Sequence, residues 1–451
     1  MKPNEAVKKT NPPDLSTPVE TQLLMCKDTT SYRIIHTADW HLGKHLMDQE
    51  RHADHQQFLD FFLDTVKSHG VDAVIISGDI FDGVNPPAKS EELYYITLAA
   101  LHSLGVAAVV ISGNHDSPTM LRSASTVIGK LGHHIITDVP EGRPPHIVLL
   151  PSPEQPRIAI AAIPFMREGD LRKVELNEDI IEIRERVRAG WCDLYSAAAE
   201  AVNGKAPGLP AIATGHLTVT GGVTNKDTER EIRIGGVGDV DLLAFPKRFG
   251  YVALGHLHRP QSFPKNVPGG GHIRYAGSPI ALGFSEGVHQ KSFQVIDVEA
   301  SGNLNISTIP ISGNRRLIQL RGTTRELEEQ INNLSAPAQD ELQPWVELVL
   351  TSDETFQSAN SLSATLKGLV TAKGYVPVGG VQRDIPDDGV STVTERTTDE
   401  LLSELDIIRE NEYGTIKNLM ERLLDRDGNP AEFDAMLALL QENILEPRGN
   451  A

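Results

Sequence analysis

Cysteine is almost absent. Cys26 and Cys192 are the two in a chain of 451 residues. One lies near the N-terminus and the other in a helical-looking stretch, which excludes a disulfide framework and fits a reducing cytoplasm. Long apolar runs are absent as well. No segment approaches the ~20 apolar residues that span a bilayer, so no membrane contact is expected. Residues 1–31 are polar and lack the apolar core of a secretory signal, and they read as a disordered leader. No internal repeat or low-complexity tract is present. Positive charge is scarce: 42 Lys and Arg face 61 Asp and Glu, for a net charge of −19. That excludes non-specific nucleic-acid binding by the average surface. The deficit is uneven, because Val381 to Ala451 hold 17 acidic and 7 basic residues, a net of −10. A DNA substrate therefore requires a local basic surface, bound metal or a partner that offsets the field.

What is present has a clear order. The length suggests two or three domains. From Tyr32 to about Leu131, apolar runs alternate with amphipathic stretches. Arg33 to His36, Ala73 to Ile76 and Ala108 to Ile111 read as buried strands. Phe58, Phe62 and Val66 carry a helical spacing between the first two. This βαβαβ order implies parallel pairing in a sheet covered on both faces. Further strands are expected at Ile158 to Ile163, Ala211 to Thr214 and Tyr251 to Leu254. Arg274 to Ala276 and Ser292 to Val298 are expected to close the second half as antiparallel strands. A Gly-, Ser- and Asn-rich stretch from Ser301 to Asn314 marks a domain boundary. The expected division is a leader at 1–31, a main domain at 32–300, a smaller α+β domain at 315–383 and an acidic helical tail at 398–446. In the tail, Leu401, Leu405 and Ile408 share one helical face, as do Leu419 and Leu423, and Phe433, Leu437 and Leu440.

Five short motifs each follow an apolar run: Asp39-Trp40-His41, Gly78-Asp79-Ile80-Phe81-Asp82, Gly113-Asn114-His115-Asp116, Gly215-His216 and Gly255-His256-Leu257-His258. Residues at strand ends of an α/β fold converge on one crevice. The motifs can therefore form a single cluster of carboxylate, imidazole and one amide. Oxygen and nitrogen donors without thiolate suit Mn²⁺, Zn²⁺ or Fe. Two such ions ~3.5–4 Å apart clamp a phosphate and activate water. An Asp with two usable oxygens is the natural bridge. His256 and His258, two apart, face the same side of a strand. His36 reads as a core histidine and Trp40 as packing beneath the site. His45 follows the first motif and is a candidate substrate contact.

The five motifs, in this order, resemble the calcineurin-like metallophosphoesterase superfamily. A narrower resemblance is to the bacterial SbcD nuclease family, whose members pair with an SMC-like ATPase. It rests on Ile35-His-Thr-Ala-Asp-Trp-His-Leu-Gly43, Ser77 to Asp82, Ser112 to Ser117, Tyr251 to His258, Tyr275-Ala-Gly-Ser-Pro279 and Gly283-Phe-Ser-Glu286. The resemblance implies a four-layer α/β/β/α sandwich with a small C-terminal capping domain and a helical tail. It implies that Asp39, His41 and His258 hold one metal ion. Asn114, His216 and His256 hold the other, and Asp79 bridges them. His115 is the implied acid or phosphate-binding residue, and Asp116 is expected to orient it by accepting its N–H. Archaeal and eukaryotic relatives place a histidine where this chain has Asp82, so Asp82 either orients a neighbour or caps its loop.

The activity implied is that of a Mn²⁺-dependent double-strand DNA exonuclease with single-strand or hairpin endonuclease activity, acting in DNA repair, recombination and replication. The implied partners are an SbcC-like SMC-type ATPase and double-stranded DNA ends, with a homodimer inside a heterotetramer. Two other functions share the same motifs: a small-molecule phosphodiesterase and a DNA-end tethering role. The extension beyond Pro310 argues against the first, and the complete ligand set argues against tethering as the whole function.

Overall fold

The computed structural model describes residues 17–18, 31–47, 49–171, 180–225, 228–229, 239–263, 272–339, 341–351, 356–379 and 382–383. The chain divides into two units, Met1–Asp384 and Ile385–Ala451. The second unit, and with it the expected acidic tail, lies outside the described residues. So does the expected leader, apart from Ser31 and Thr17–Pro18, which pair antiparallel with Gln261–Ser262.

Two sheets build the main body. In the first, β1 (Tyr32–Thr37), β2 (Ala73–Ser77), β3 (Ala107–Ile111) and β4 (His134–Ile136) run parallel. In the second, β5 (His146–Leu150) pairs antiparallel with β6 (Ile158–Ala162). Parallel pairing then continues through β7 (Ala211–His216), β8 (Tyr251–Gly255) and β9 (His272–Tyr275). Helices α1 (His52–Ser68) and α2 (Ala88–Ser103) are crossovers in the first half, and α3 (Ile180–Lys205) links β6 to β7.

The side-chain period of two along each strand decides the layering. Ile35, Val74, Ile76, Ala108 and Val110 face Phe58, Phe62 and Leu98 on the helices. Their neighbours Ile34, Ile75, Val109 and Ile111 face the other way, onto Ile158, Ile160, Ile212 and Tyr251 of the second sheet. On the far face of that sheet, Ala159, Ala161, Ala211 and Ala213 pack against Trp191, Tyr195 and Ala198 of α3. Small residues on the sheet match large aromatic ones on the helix. The result is the expected four-layer order of helix, sheet, sheet and helix. The central strands Tyr32–Thr37, Ala73–Ser77, Ile158–Ala162, Ala211–His216 and Tyr251–Gly255 are buried on both sides, as their apolar runs demand.

The two strands expected to close the second half behave differently. β9 pairs parallel with β8. The next strand, β10 (Ser292–Val298), returns to the first sheet and pairs antiparallel with β1 over five residues. Buried Arg33 reinforces that pairing through its Nε, 2.7 Å from Asp297 Oδ1. The stretch 301–314 is more than a connection. It contains β11 (Leu304–Pro310), which pairs with β10 along its whole length. As an edge strand, β11 can carry exposed Asn305 and a terminal Pro310, so its composition looks like a loop.

A separate sheet follows. β12 (Leu317–Gly322), β13 (Trp345–Leu350), β14 (Val376–Pro377) and β15 (Gln382–Arg383) pair in parallel. Helices α4 (Thr324–Asn332) and α5 (Phe356–Ala372) are the crossovers. Thr323 and Glu326 form a capping box at the start of α4. Leu320, Leu327, Ile331, Val346, Leu348, Leu366 and Val370 form this unit's own core. It is tied to the main body by a buried cluster. Asp54 on α1 accepts from Arg51 at 2.8 Å and from Arg315 at 3.0 Å, and both guanidiniums lie over the Trp345 ring, at 5.6 and 4.4 Å. Among the described residues, no helix is long and apolar enough to cross a membrane.

Candidate metal centre

The parallel order of both sheets puts the C-terminal ends of β1, β2, β3, β7 and β8 at one edge, and every motif sits there. The first two motif loops continue the pairing of their strands. The amides of Asp39, His41 and Leu42 donate to the carbonyls of Gly78, Asp79 and Ile80 at 2.9–3.0 Å. That zipper forces sharp backbone turns. Among the described residues, five non-glycine residues have positive φ, and four of them are Asp39, His41, Asp79 and His256. Such conformations cost of order 1–3 kcal/mol each and persist where the surroundings over-determine them. Gly78 (φ +86°) and Gly113 have no room for a Cβ, which would meet the His216 ring in one case and Asp79 in the other. Glycine before the ligand is a packing requirement here.

Asp79 lies at the middle. Its Oδ2 is 3.5 Å from His41 Nε2 and 3.3 Å from His216 Nε2. Its Oδ1 accepts from the His115 amide at 2.8 Å. Two groupings of side chains able to hold a metal ion contain it: Asp39, His41 and Asp79 on one side, and Asp79, His216 and His256 on the other. Asn114 Oδ1 is 2.9 Å from His216 Nε2, and so joins the second group. His258 stacks edge-on against His41, with centroids 5.1 Å apart, which places it beside the first.

The histidines are held from behind. His216 Nδ1 is 2.9 Å from the Ser77 carbonyl, so Nδ1 carries the proton and Nε2 faces Asp79. His41 Nδ1 is 3.1 Å from Asp82 Oδ1. His258 Nδ1 is 3.1 Å from Glu286 Oε1 and 3.2 Å from Thr228 Oγ1. Partners of this kind fix the tautomer and ring orientation of metal-binding imidazoles.

The centre is polar, buried and unsatisfied. Asp39 Oδ2 and His41 Nε2 are buried without a hydrogen-bond partner. Leaving such atoms unmet costs about 1–3 kcal/mol each. Burial pushes the Asp39 carboxyl up to about 8, with the charge of Asp79 adding to the rise. Burial opposes a charged His216, yet the carboxylates of Asp79 and Asp39 raise it to about 9. Burial lowers His258 to about 4 and His256 well below its ordinary value, so both are neutral at pH 7. Without cations the cluster offsets its charge with protons held on Asp39 and His216, which a divalent ion would displace. The oxygen and nitrogen donor set, the orphaned atoms and the neutral imidazoles all fit divalent metal ions.

One sequence expectation changes and another is narrowed. Asp116 does not orient His115. Its carboxylate accepts from the backbone amides of Gly113 at 2.8 Å, Phe81 at 3.0 Å and Ile80 at 3.3 Å, and so binds the second motif loop to the third. His115 Nδ1 instead lies 2.8 Å from the Asp82 carbonyl. Asp82 is the orienting residue: its side chain holds His41 and also accepts from Lys44 at 3.1 Å. Trp40 is fully buried against Phe58 and Phe62, and its Nε1 donates to Thr37 Oγ1. His36 is buried with Nδ1 on Tyr251 Oη, and burial lowers its pKa to about 3. Exposed His45 contacts the Gly43 carbonyl.

The support of His258 is not legible from motif spacing. Glu286 Oε2 accepts from Lys291 Nζ at 2.7 Å, and Lys291 also donates to the His258 carbonyl at 3.0 Å. Glu229 Oε1 accepts from the His258 amide at 2.6 Å. Only the tract Gly283 to Glu286 hints at this, through family likeness.

Residues 32–260 match the calcineurin-like phosphoesterase family. The chain is 35% identical over 331 residues to SbcD of the SbcCD nuclease from Escherichia coli (strain K12), covering 71% of this chain and 78% of that protein. It is 35% identical over 296 residues to SbcD of Bacillus subtilis (strain 168), covering 64% and 71%. With SbcD of Rhodobacter capsulatus it shares 33% over 354 residues, covering 75% and 85%. A metal-binding cluster at the C-terminal strand ends, together with these matches, shows that the chain belongs to the calcineurin-like phosphoesterase family of metal-dependent enzymes.

Proposed function

We propose that the protein is a binuclear metal-dependent nuclease that hydrolyses DNA phosphodiesters. Asp39, His41 and His258 hold one ion, Asn114, His216 and His256 the other, and Asp79 serves both. The observation that carries this is the position of Asp79 Oδ2 between His41 Nε2 and His216 Nε2. Two bound divalent ions supply Lewis-acid polarisation of a phosphate and a lowered water pKa. Mn²⁺ fits the carboxylate-rich donor set. His115, its Nδ1 committed to the Asp82 carbonyl, stabilises charge or supplies a proton at the leaving oxygen. Asp82 and Glu286 keep His41 and His258 aimed at their ion.

The relatives' names describe one subunit of a nuclease complex, which supports assembly of this chain with a second subunit; our reading makes that subunit an SMC-type ATPase, in a heterotetramer built on a homodimer of this chain and acting on double-stranded DNA ends. In that reading the unit at Leu317–Arg383 caps the site over DNA, and the acidic tail docks on a basic face of the ATPase through its spaced apolar residues. Double-strand exonuclease and single-strand or hairpin endonuclease activities follow from this assignment.

The test compares turnover on linear duplex DNA with turnover on a chromogenic phosphodiester, with Mn²⁺ and the ATPase present. DNA cleavage that disappears in Asp79→Ala supports the proposal. Turnover of the small ester alone would favour a small-molecule phosphodiesterase. Biological activity retained in full by Asp79→Ala would favour a tethering role. Truncation after Pro386 should abolish co-purification with the ATPase while metal binding persists.

A further inference from the structure

A second feature adjoins the ion cluster. A cavity of about 290 Å³ is lined by Thr224, Asn225, Arg259, Ser285, Glu286 and His289, together with Val223. We propose that this cavity is a substrate subsite that takes a backbone phosphate of the nucleic-acid strand, next to the scissile one. The proposal rests on the nuclease reading and adds where the strand lies.

Location is the first argument. Arg259 directly follows the proposed ligand His258. Glu286 lines the cavity and also contacts His258 Nδ1 at 3.1 Å. The cavity and the first ion pocket therefore share a wall. A strand with one phosphate at the ions brings its next phosphate to a neighbouring position of this kind.

Charge is the second argument. Glu286 is the anionic lining residue, but both of its oxygens are committed. One meets His258 and Thr228. The other meets Lys291 at 2.7 Å, the Leu282 amide at 3.1 Å and Ser278. Lys291 cancels its charge. The Arg259 side chain has no hydrogen-bond or ion-pair partner among the described residues, although it is partly buried. Its charge reaches His289, whose pKa is lowered by burial first and then by Arg259 and Lys291. Among the described residues the cavity thus holds one guanidinium without an anionic partner, beside the hydroxyls of Thr224 and Ser285; the Asn225 side-chain amide donates to Ser285 Oγ at 2.9 Å. A phosphodiester has one negative charge and only acceptor oxygens, and this set is its complement.

Size and lining suit this occupant. The volume lies just under the roughly 300–1,000 Å³ of small-molecule pockets, enough for a phosphate with its sugar. The described lining residues include no Phe, Tyr or Trp, so they offer no platform for stacking a base.

The test uses the full chain with Arg259→Ala, Arg259→Lys and His289→Ala. Two readouts are needed. One is the Kd of a short fluorescein-labelled single-stranded DNA under non-cleaving conditions, with Ca²⁺ in place of Mn²⁺. The other is the ratio of turnover on a trinucleotide to turnover on bis(4-nitrophenyl) phosphate, which has no neighbouring phosphate. Arg259→Ala should weaken binding about ten-fold and lower the ratio similarly, the scale of one lost charge-assisted hydrogen bond. Arg259→Lys should recover part of both. His289→Ala should give a smaller shift in the same direction, and it answers the question independently should Arg259→Ala fail to fold. If wild-type protein cleaves DNA and the variants match it in both readouts, the subsite is wrong and the nuclease reading stands. If wild-type protein cleaves only the small ester, the nuclease reading fails and this subsite fails with it.

Discussion

The two proposed ion pockets share Asp79 but are built from different support. In the first, the imidazoles of His41 and His258 are backed by the carboxylates of Asp82 and Glu286. In the second, His216 is backed by the Ser77 carbonyl, at the end of β2. A carboxylate behind an imidazole makes it a more basic ligand, at the risk that one substitution removes the effect. A backbone carbonyl cannot be deleted by substitution, and it is as rigid as the sheet that presents it. The first pocket is therefore tunable and the second structural. Asp54 offers a further contrast. It is a buried carboxylate like Asp39, but protein cations already satisfy it. Burial opposes its charge, yet Arg51 and Arg315 hold its pKa below the usual range. Asp39 has no arginine beside it, and burial pushes it up to about 8 although His216 and His41 pull the other way.

The largest effect should come from erasing what the pockets share. Asp79→Asn removes negative charge from both at once. We expect at most one ion bound per chain and cleavage reduced by more than about 10³-fold, beyond the loss for a typical single acid–base group. Calorimetric titration that finds two ions at wild-type affinity would overturn the bridging role.

His115 sharpens the comparison, because neither proposed ion pocket draws on it although its ring lies edge-on to His41 with centroids 4.8 Å apart. His115→Ala should retain both ions and lose cleavage by roughly 10²-fold or more. Parallel loss of metal and of activity, measured by elemental analysis and kinetics on the same sample, would make His115 a ligand instead.

Glu286→Gln and Asp82→Asn probe the asymmetry directly. Each should weaken the first pocket's ion about 10–100-fold. The second pocket should keep its affinity. Metal titration that shows equal weakening of both sites would mean that the two pockets are not separately supported.

The smallest effect on chemistry should come from Asp54→Asn, which leaves two arginines without their buried partner. Metal content should be unchanged. The fold should lose about 3 kcal/mol, the scale for breaking a buried ion pair from one side. Because the folded pKa of Asp54 is lowered, its stabilisation is complete above the ordinary carboxylate pKa of about 3.9 and is lost as pH falls through the folded value. Calorimetric melting of wild-type protein should thus fall more steeply in acid than melting of the variant. Identical acid limbs would show that Asp54 contributes nothing through its charge.

The sequence by itself determined the ladder of strands and what stands at their ends. Unbroken runs such as Ala73 to Ile76 are buried on both faces, and the lack of any polar alternation carries that information locally. The five motifs are legible for the same reason: each needs only a few consecutive residues after a strand, drawn from glycine, carboxylate, amide and histidine. Only the tertiary structure decided what depends on distant partners. The return of β10 to the first sheet turns on its pairing with β1, far away in the chain. Strand β11 is hidden in the sequence because an edge strand needs no apolar alternation. Asp116 resembles a partner of His115 because it is next to it. The fold spends its oxygens on the amides of Ile80, Phe81 and Gly113 and gives His115 the Asp82 carbonyl. Glu286 and Lys291 reach His258 through three-dimensional closure alone. Spacing within a motif fixes which atoms are offered to a metal. What stands behind those atoms is set by packing between segments, which no local pattern encodes.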